Sequence, residues 1–176
     1  MKSVKHSFLP LLLFASIFLF SACLGYHFQG SGGALPEHLK TVAITPFANQ
    51  TYESLVDTYL TNALVGEFSR SKRLRMVDQA DADLVISGAV KEVSNTSISY
   101  SGNDRAYEYR VRVRIEVVIR DVRQDIVVWQ NGNMHEVEEY HTSGEPNDVQ
   151  TRKRVAIARV CKVLAENIHD RLFIDF

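Results

Sequence analysis

The sequence predicts an α+β domain in which two helices pack on one face of a mostly antiparallel or mixed four-stranded sheet, in the order β-α-β-β-β-α. Two segments, Tyr52 to Ser69 and Asn147 to Leu172, have apolar residues at the spacing of amphipathic helices. Between them, Tyr107 to Ile119 alternates apolar and polar residues, which is typical of a strand with one wet face. Burying the apolar stripes and the apolar strand face against each other gives a two-layer domain.

The strands before the alternating segment are less regular. The first is predicted over Leu39 to Phe47, which is rich in β-branched residues and ends near Pro46. A short apolar run at Leu74 to Val77 precedes a strand over Leu84 to Val90, which is apolar on both faces and therefore central in its sheet. The polar segment Ser94 to Asn103 is expected to be a loop, either one that reaches a partner or a plain hairpin loop.

The alternating strand and its return form the predicted hairpin. At about 3.3 Å per residue the strand would run roughly 40 Å, so we expect it to project beyond the body or bend at a bulge. A turn at Asp121 to Asp125 leads to a return strand from Ile126 toward Tyr140. Gly132 is the expected position of a bulge within that return strand.

The last helix is expected to be capped by Asn147 or Asp148, whose side chains accept hydrogen bonds from unpaired first-turn amides. Its predicted apolar stripe consists of Val149, Val155, Ala156, Val160, Val163, Leu164, Ile168 and Leu172. Cys161 lies on this stripe, so we expect a small buried side chain there in preference to a reactive thiol.

The N-terminus has the charge order of a secretion signal. Lys2 and Lys5 precede a nearly unbroken apolar stretch from Phe8 to Phe20, and no acidic residue occurs before Cys23. The stretch has 13 residues, fewer than the roughly 20 that span a bilayer as a helix, which disfavours a permanent transmembrane anchor. Residues 1–22 are therefore predicted to be a cleaved signal peptide.

Cys23 is the predicted site of lipid attachment. Ser21 and Ala22 are small enough for a signal peptidase, so cleavage between Ala22 and Cys23 would leave a thiol that accepts diacylglycerol, and the new N-terminus an acyl chain such as palmitate. Phe20 departs from the leucine most common in such lipoboxes, and ordinary cleavage that leaves an unmodified thiol is the alternative. Leu24, where aspartate would favour the inner membrane, favours the outer membrane.

Composition limits the mature chain to one domain and few chemistries. Removing 22 of 176 residues leaves 154, which we divide into a glycine-rich tether, 23–36, and a single domain, 37–176. Loss of Lys2 and Lys5 leaves 18 Lys+Arg against 21 Asp+Glu, a net charge of −3, so no nucleic-acid partner is indicated. With Cys161 the only other cysteine, no disulfide framework is expected.

The sequence lacks the motifs of several enzyme classes. It contains no GxGxxG, GxxxxGK[ST], GxSxG or HExxH, so no catalytic residues, metal site or bound cofactor are predicted. Acid–base work by the glutamates near His135 and His141 is conceivable, but alternation on an exposed strand explains those acids. They are Glu136, Glu138 and Glu139.

Arg110, Arg112 and Arg114 form a positive row on one face of the alternating strand, at intervals of about 7 Å. Guanidinium groups bind phosphate with two hydrogen bonds, so the row is a candidate contact for phosphorylated sugar of a lipid. The alternative is structural: Arg110 and Arg112 pair across strands with acids such as Glu136 and Glu138. In this alternative Glu108 and Glu116 flank the row.

The residues after Cys23 resemble one lipoprotein family. Gly25-Tyr26-His27-Phe28-Gln29-Gly30, then Leu35-Pro36, then a strand leading to Phe47-Ala48-Asn49, is similar to the opening of the LptE family. Beyond Asn49 the resemblance is one of pattern, and it extends over the mature chain.

Membership would imply two helices on a mainly four-stranded sheet and a protein without catalytic activity. It would also imply an outer-membrane lipoprotein, anchored through Cys23 on the periplasmic side, that plugs the lumen of an LptD-like β-barrel, supports its assembly and contacts lipopolysaccharide. The family's lipopolysaccharide-contacting basic positions do not align with a motif here, so the arginine row is an inference from this sequence alone.

A second resemblance gives the rival interpretation. Ala82-Asp83-Leu84-Val85-Ile86-Ser87-Gly88 is similar to a strand of lipoproteins of the curli-secretion and penicillin-binding-protein activator types. Those proteins also join a lipid anchor to an α/β domain. The glycine-tyrosine opening favours LptE.

Overall fold

The computed structural model describes residues 35–100, 106–142 and 145–174. Residues 1–34, which include the predicted signal peptide, Cys23 and most of the tether, lie outside the described residues. The described elements are β1 Thr41–Ile44, β2 Ala48–Asn49, α1 Val56–Ser71, β3 Arg75–Met76, a 3-10 turn Gln79–Asp81, β4 Leu84–Tyr100, β5 Ala106–Asp121, β6 Ile126–His141 and α2 Pro146–Ile174.

The strands form one mixed sheet in the order β3-β1-β4-β5-β6, with β2 also paired to β4. β1 lies parallel to β3 and β4, whereas β4, β5 and β6 form an antiparallel meander. The predicted α+β class is confirmed, and the sheet has six strands where four were predicted. β2 and β3 account for the difference, because each contains two residues and has little sequence signature.

The alternation of β5 divides the sheet into two faces. Val111, Val113, Ile115, Val117 and Ile119 are fully buried and belong to the main core, which the two helices cover. β4 is central, as predicted, and contributes Leu84, Ile86 and Val90 to this core. On the opposite face Val85 packs with Ala43 and Ala82 in a second, smaller cluster.

α1 begins four residues later than predicted, at Val56. Asn49 holds the preceding segment in turns: its side chain accepts a hydrogen bond from the amide of Thr51, 2.9 Å away, and donates to the carbonyl of Glu53 at 2.8 Å. Leu55 then adopts a left-handed φ of 66°, which is incompatible with the helix. Side-chain bonds to the backbone therefore displaced the helix start.

The predicted cap of the last helix is wrong. α2 begins at Pro146, whose fixed φ suits the first helical position, so Asn147 and Asp148 lie inside the first turn. The stripe prediction is wrong at Val155 and Val163, whose side chains are 48% and 41% exposed. Ile157, which was not in the predicted stripe, is fully buried.

Cys161 is buried, as predicted. Burial raises the pKa of its thiol to about 12, so the thiol stays protonated and unreactive at neutral pH.

The predicted loop over Ser94 to Asn103 is wrong for residues 94–100, which continue β4. Residues 101–103 lie outside the described residues. The predicted hairpin of β5 and β6 is confirmed, and so is the bulge at Gly132, since Ile115 pairs with Met134 whereas Val117 pairs with Asn131.

Candidate functional site

The sheet face opposite the helices, along the meander of β4, β5 and β6, carries the arginine row. We call it the open face. Its centre consists of three cross-strand rows: Thr96, Arg110 and Glu139; Ser94, Arg112 and Val137; Glu92, Arg114 and His135. Directly opposed residues share a face of an antiparallel sheet, so the register places the three arginines side by side at the middle of these rows.

Two of the three arginines have carboxylate partners. Arg110 donates from Nε and Nη2 to one oxygen of Glu139 over 2.9 and 2.5 Å. Arg114 donates from Nε and Nη2 to one oxygen of Glu92 over 3.1 and 3.0 Å. These partners are themselves about half exposed, and ion pairs of that kind contribute about 0–1 kcal/mol to folding. The pairs orient the guanidinium groups without holding them strongly.

Arg112 differs from its two neighbours. Its side chain is exposed and has no ion pair or side-chain hydrogen bond within the part of the chain that the structure describes. The residues opposite it are Ser94, a small hydroxyl, and Val137, which is 44% exposed. All the hydrogen-bond donors of the Arg112 guanidinium are therefore available to an external acceptor.

The predicted structural alternative is wrong in its partners. Glu136 and Glu138 oppose Val113 and Val111, and so lie on the helix side of the sheet. There Glu136 accepts a hydrogen bond from Asn167 at 2.8 Å, and Glu138 accepts one from Arg159 at 3.1 Å. These acids join β6 to α2 and do not neutralise the arginine row.

The acidic residues predicted to flank the row do so. Glu108 lies 3.1 Å from His141 and accepts a hydrogen bond from Ser99 at 2.7 Å. Glu116, at the other end, lies 3.4 Å from Lys91. An acidic residue thus lies at each end of the arginine row.

A polar network that sequence reasoning missed lies at the start of β4 and the end of β5. One oxygen of Asp83 accepts hydrogen bonds from the amides of Lys40 and Thr41, both at 2.9 Å, and its other oxygen lies 2.5 Å from Arg123. Asp121 lies 2.8 Å from Nε2 of His38 and accepts the amides of Arg123 and Gln124. In the sequence, Asp83 and Asp121 are simply polar residues next to apolar strands, so nothing there indicates that they pair with distant segments.

Both carboxylates of this network favour the ionised form. Burial alone raises the pKa of Asp83, but the hydrogen bonds from Lys40 and Thr41 and the charge of Arg123 outweigh it, and the pKa lies below its usual value. Burial likewise raises the pKa of Asp121, and the hydrogen bonds from His38 and the turn amides lower it further than burial raises it. Through these contacts the network joins β1, β4 and the β5–β6 turn, while the buried Oδ1 of Asp83 lies beside Arg123 without a hydrogen bond to any described residue.

In the part of the chain that the structure describes, no group of three or more histidine, cysteine, aspartate or glutamate side chains is arranged to hold a metal ion. Within residues 35–100, 106–142 and 145–174, neither helix is long and apolar enough to cross a membrane.

The fold occurs in solved structures of low sequence identity. A minor lipoprotein from Acinetobacter baumannii superposes with a TM-score of 0.51 at 16% identity, covering 77% of this chain and 93% of that one. Uncharacterized lipoprotein B from Nitrosomonas europaea gives 0.51 at 14%, covering 85% and 91%. A hypothetical protein from Chlamydia trachomatis gives 0.52 at 11%, covering 76% and 95%. These likenesses establish the fold.

The family is established by sequence. No curated protein sequence matches the chain in a direct comparison. The profile of the LptE family, described as lipopolysaccharide-assembly, matches residues 39–172, which is well over half of the chain. This range contains α1, all the described strands and all of α2 except its last two residues. The chain therefore belongs to the LptE family of lipopolysaccharide-assembly proteins.

Proposed function

We propose that the mature protein is a lipoprotein anchored through Cys23 in the outer membrane, on its periplasmic side. There it plugs the lumen of an LptD-like β-barrel, supports assembly of that barrel and contacts lipopolysaccharide. It acts by binding, without catalysis, and its only attached groups are the diacylglycerol and acyl chains on Cys23. Family membership over residues 39–172 supports this assignment.

The observation that carries the proposal is the open face. The lumen of an outer-membrane barrel is polar, so a domain inside it needs a polar surface on the side that no helix covers. The central rows of the open face supply arginine, glutamate, serine, threonine and histidine, with Val137 as the only aliphatic residue.

The segment Ala82 to Gly88, which resembles a strand of the rival envelope lipoproteins, is explained here by its place in the fold. Asp83 lies 1% exposed and accepts the amides at the start of β1, and Leu84 and Ile86 belong to the main core. The same motif would serve in any protein with this strand arrangement, whereas the family match is specific to LptE.

Co-purification tests the barrel association. A tagged full-length chain should be isolated from detergent-solubilised membranes together with a large outer-membrane barrel protein, which is identified by mass spectrometry. A stoichiometric barrel partner supports the proposal. Recovery of a peptidoglycan synthase or of a curli pore component in its place would contradict it and support the rival class.

Lipopolysaccharide contact is assigned to the arginine row, and mainly to Arg112. Glu139 and Glu92 compete with any phosphate for Arg110 and Arg114, whereas the Arg112 side chain has no carboxylate partner among the described residues. Arg112→Gln should therefore weaken lipopolysaccharide binding about tenfold, and the triple Gln variant somewhat more, because a hydrogen bond to a charged group contributes about 1.5–3 kcal/mol.

Binding should also weaken with added salt. The control is Lys162→Gln, which removes one positive charge from the exposed side of α2 and should leave binding unchanged. Equal affinity of the wild-type and triple-variant proteins, with both folded by circular dichroism, would return the arginines to a purely structural role.

A further inference from the structure

Five basic residues cluster at the C-terminal end of α1, in β3 and just before β1. We call them the basic cluster: Lys40, Arg70, Lys72, Arg73 and Arg75. All five side chains are exposed, and no acidic residue occurs between Glu67 and Asp78. The cluster stands out against a mature chain whose net charge is negative, and it lies outside the arginine row of the open face.

Most of the charge in the basic cluster is not neutralised by contacts. Arg70 pairs with Glu67, and Arg73 stacks over the ring of Phe173, 4.6 Å from its centroid. The side chains of the other three, Lys40, Lys72 and Arg75, have no ion pair or hydrogen bond to described residues.

Neighbouring acids and helix electrostatics do not account for the cluster. Glu67 pairs with Arg70, and it is the one carboxylate among the described residues that forms an ion pair with a member of the cluster. Asp83 accepts the backbone amide of Lys40, but the ion pair of its carboxylate is with Arg123. Cations near a helix C-terminus offset the helix dipole, but that effect is limited to the last turn. It does not explain a cation in β3 at Arg75.

The basic cluster lies where the chain leading from Cys23 enters the domain. Thr41 of β1 is the register partner of Arg75, and the amide of Arg75 donates to the carbonyl of Lys40 over 2.9 Å. Eleven residues, 24–34, separate Cys23 from Leu35, where the described chain begins. Twelve Cα-to-Cα steps cover about 40 Å at most, so Leu35 cannot lie farther than that from the predicted attachment site at Cys23.

We propose that the basic cluster docks onto the phosphate groups of anionic phospholipids in the leaflet that holds the acyl chains of Cys23. Lysine and arginine provide the complementary charge, and Ile174, 66% exposed beside Phe173, provides an apolar side chain at the same end of α2. A polybasic surface strengthens attachment by a lipid chain, because the tether keeps the local concentration of head groups high. This inference rests on the proposed lipid anchor and is independent of the barrel.

Vesicle co-sedimentation tests the proposal. The chain comprising residues 23–176 carries Cys23→Ser, so that no acyl chain contributes to binding. It should bind vesicles of phosphatidylethanolamine and phosphatidylglycerol, bind neutral phosphatidylcholine vesicles far more weakly, and dissociate at high salt. Lys72→Gln with Arg75→Gln should weaken binding about 25-fold, since each basic residue near an anionic surface contributes about a factor of five.

The matched control is Arg152→Gln with Lys162→Gln, which removes the same charge from the exposed side of α2 and should retain binding. Equal losses in the two double variants would reduce the effect to net charge and overturn the proposal. It would also be overturned if the wild-type chain bound lipopolysaccharide aggregates but no phosphatidylglycerol vesicles. The assay contains no barrel protein, so its failure leaves the proposed barrel association untouched.

Discussion

The residues that surround Arg112 are set by the register between β5 and β6. The period-two pattern was enough to predict that Arg110, Arg112 and Arg114 share a face, and the structure confirms it. Their acidic partners could not be predicted, because register depends on the number of bulges. The register can be followed by adding the numbers of two opposed residues, a sum that stays constant along a regular antiparallel pair. The sum is 247 at Asp121 and Ile126, next to the turn, and each extra residue bulged out of β6 raises it by one.

The bulge predicted at Gly132 alone gives a sum of 248 and sets Glu138 opposite Arg110. A second bulge, between Val127 and Trp129, raises the sum to 249 and sets Glu139 there. Because this second bulge was not predicted, Glu136 and Glu138 were expected on the open face, whereas they lie on the helix side of the sheet. The second bulge left Arg112 opposite Val137.

At the same scale, Asp83 is predicted to stabilise the fold in a pH-dependent way. Its folded pKa is below the ordinary value of about 3.9, so its contribution is complete above that pH and is lost as pH falls through the folded pKa. Asp83→Asn should lower the free energy of unfolding at pH 7 by about 1–3 kcal/mol, since Asn carries no charge for Arg123. It should also flatten the decline of stability below about pH 4.

Urea denaturation across pH measures both effects of the Asp83 substitution. The control is Asp125→Asn, because Asp125 pairs with Arg120 through a side chain that is 88% exposed. This change should alter stability by less than about 0.5 kcal/mol. Identical unfolding free energies for the wild-type and Asp83→Asn proteins at pH 7 would show that the network contributes nothing.

Among the elements, strong periodicity was predictive and polar strands were not. β5 was recognised because five alternate residues are aliphatic, and β6 followed from the turn. Residues 94–100 of β4 have no such alternation, yet they pair with β5 from Arg112 to Ala106. Residues 94–100 form a strand because their backbone hydrogen-bonds to β5, and because their polar side chains are compatible with the open face. Their sequence alone predicts a loop.

Gly88 is a position in β4 that a larger residue does not fit. A Cβ atom there would lie 2.1 Å from the backbone oxygen of Glu116 and 2.5 Å from a ring carbon of Phe47. Since the oxygen belongs to the paired strand, relief requires moving β5 away from β4. Gly88→Ala should destabilise the protein by about 2–3 kcal/mol, measured by urea denaturation.

The matched control for Gly88 is Gly66→Ala in α1. A Cβ atom at Gly66 has nothing within 4 Å, and alanine is the better helix former, so this change should stabilise the protein by about 0.5–1 kcal/mol. If Gly88→Ala were as stable as wild type, close approach of the two strands would not be what selects glycine there.

For the whole molecule, the arrangement in two layers, helices on one face of a sheet, could be predicted from the sequence. Helical stripes and one alternating strand were sufficient for the α+β class with one wet sheet face. The family resemblance in the sequence rested on Gly25 to Gly30, outside the described residues, whereas the family profile matches 39–172. The folded domain therefore carries the family signature independently of the N-terminal opening. The aspartate network and the basic cluster required the structure, because each joins segments distant in sequence.

A domain enclosed by a barrel must face barrel wall on several sides, whereas one docked on the outside faces it on a single side. Site-specific photo-crosslinking in cells measures this directly, with a photoreactive residue replacing Arg112 on the open face, Lys162 on α2 or Asn62 on α1, all at exposed or partly exposed positions. The plug proposal predicts crosslinks to the same outer-membrane barrel from all three positions. Crosslinks from Arg112 alone, or from the helices alone, would contradict enclosure within the barrel.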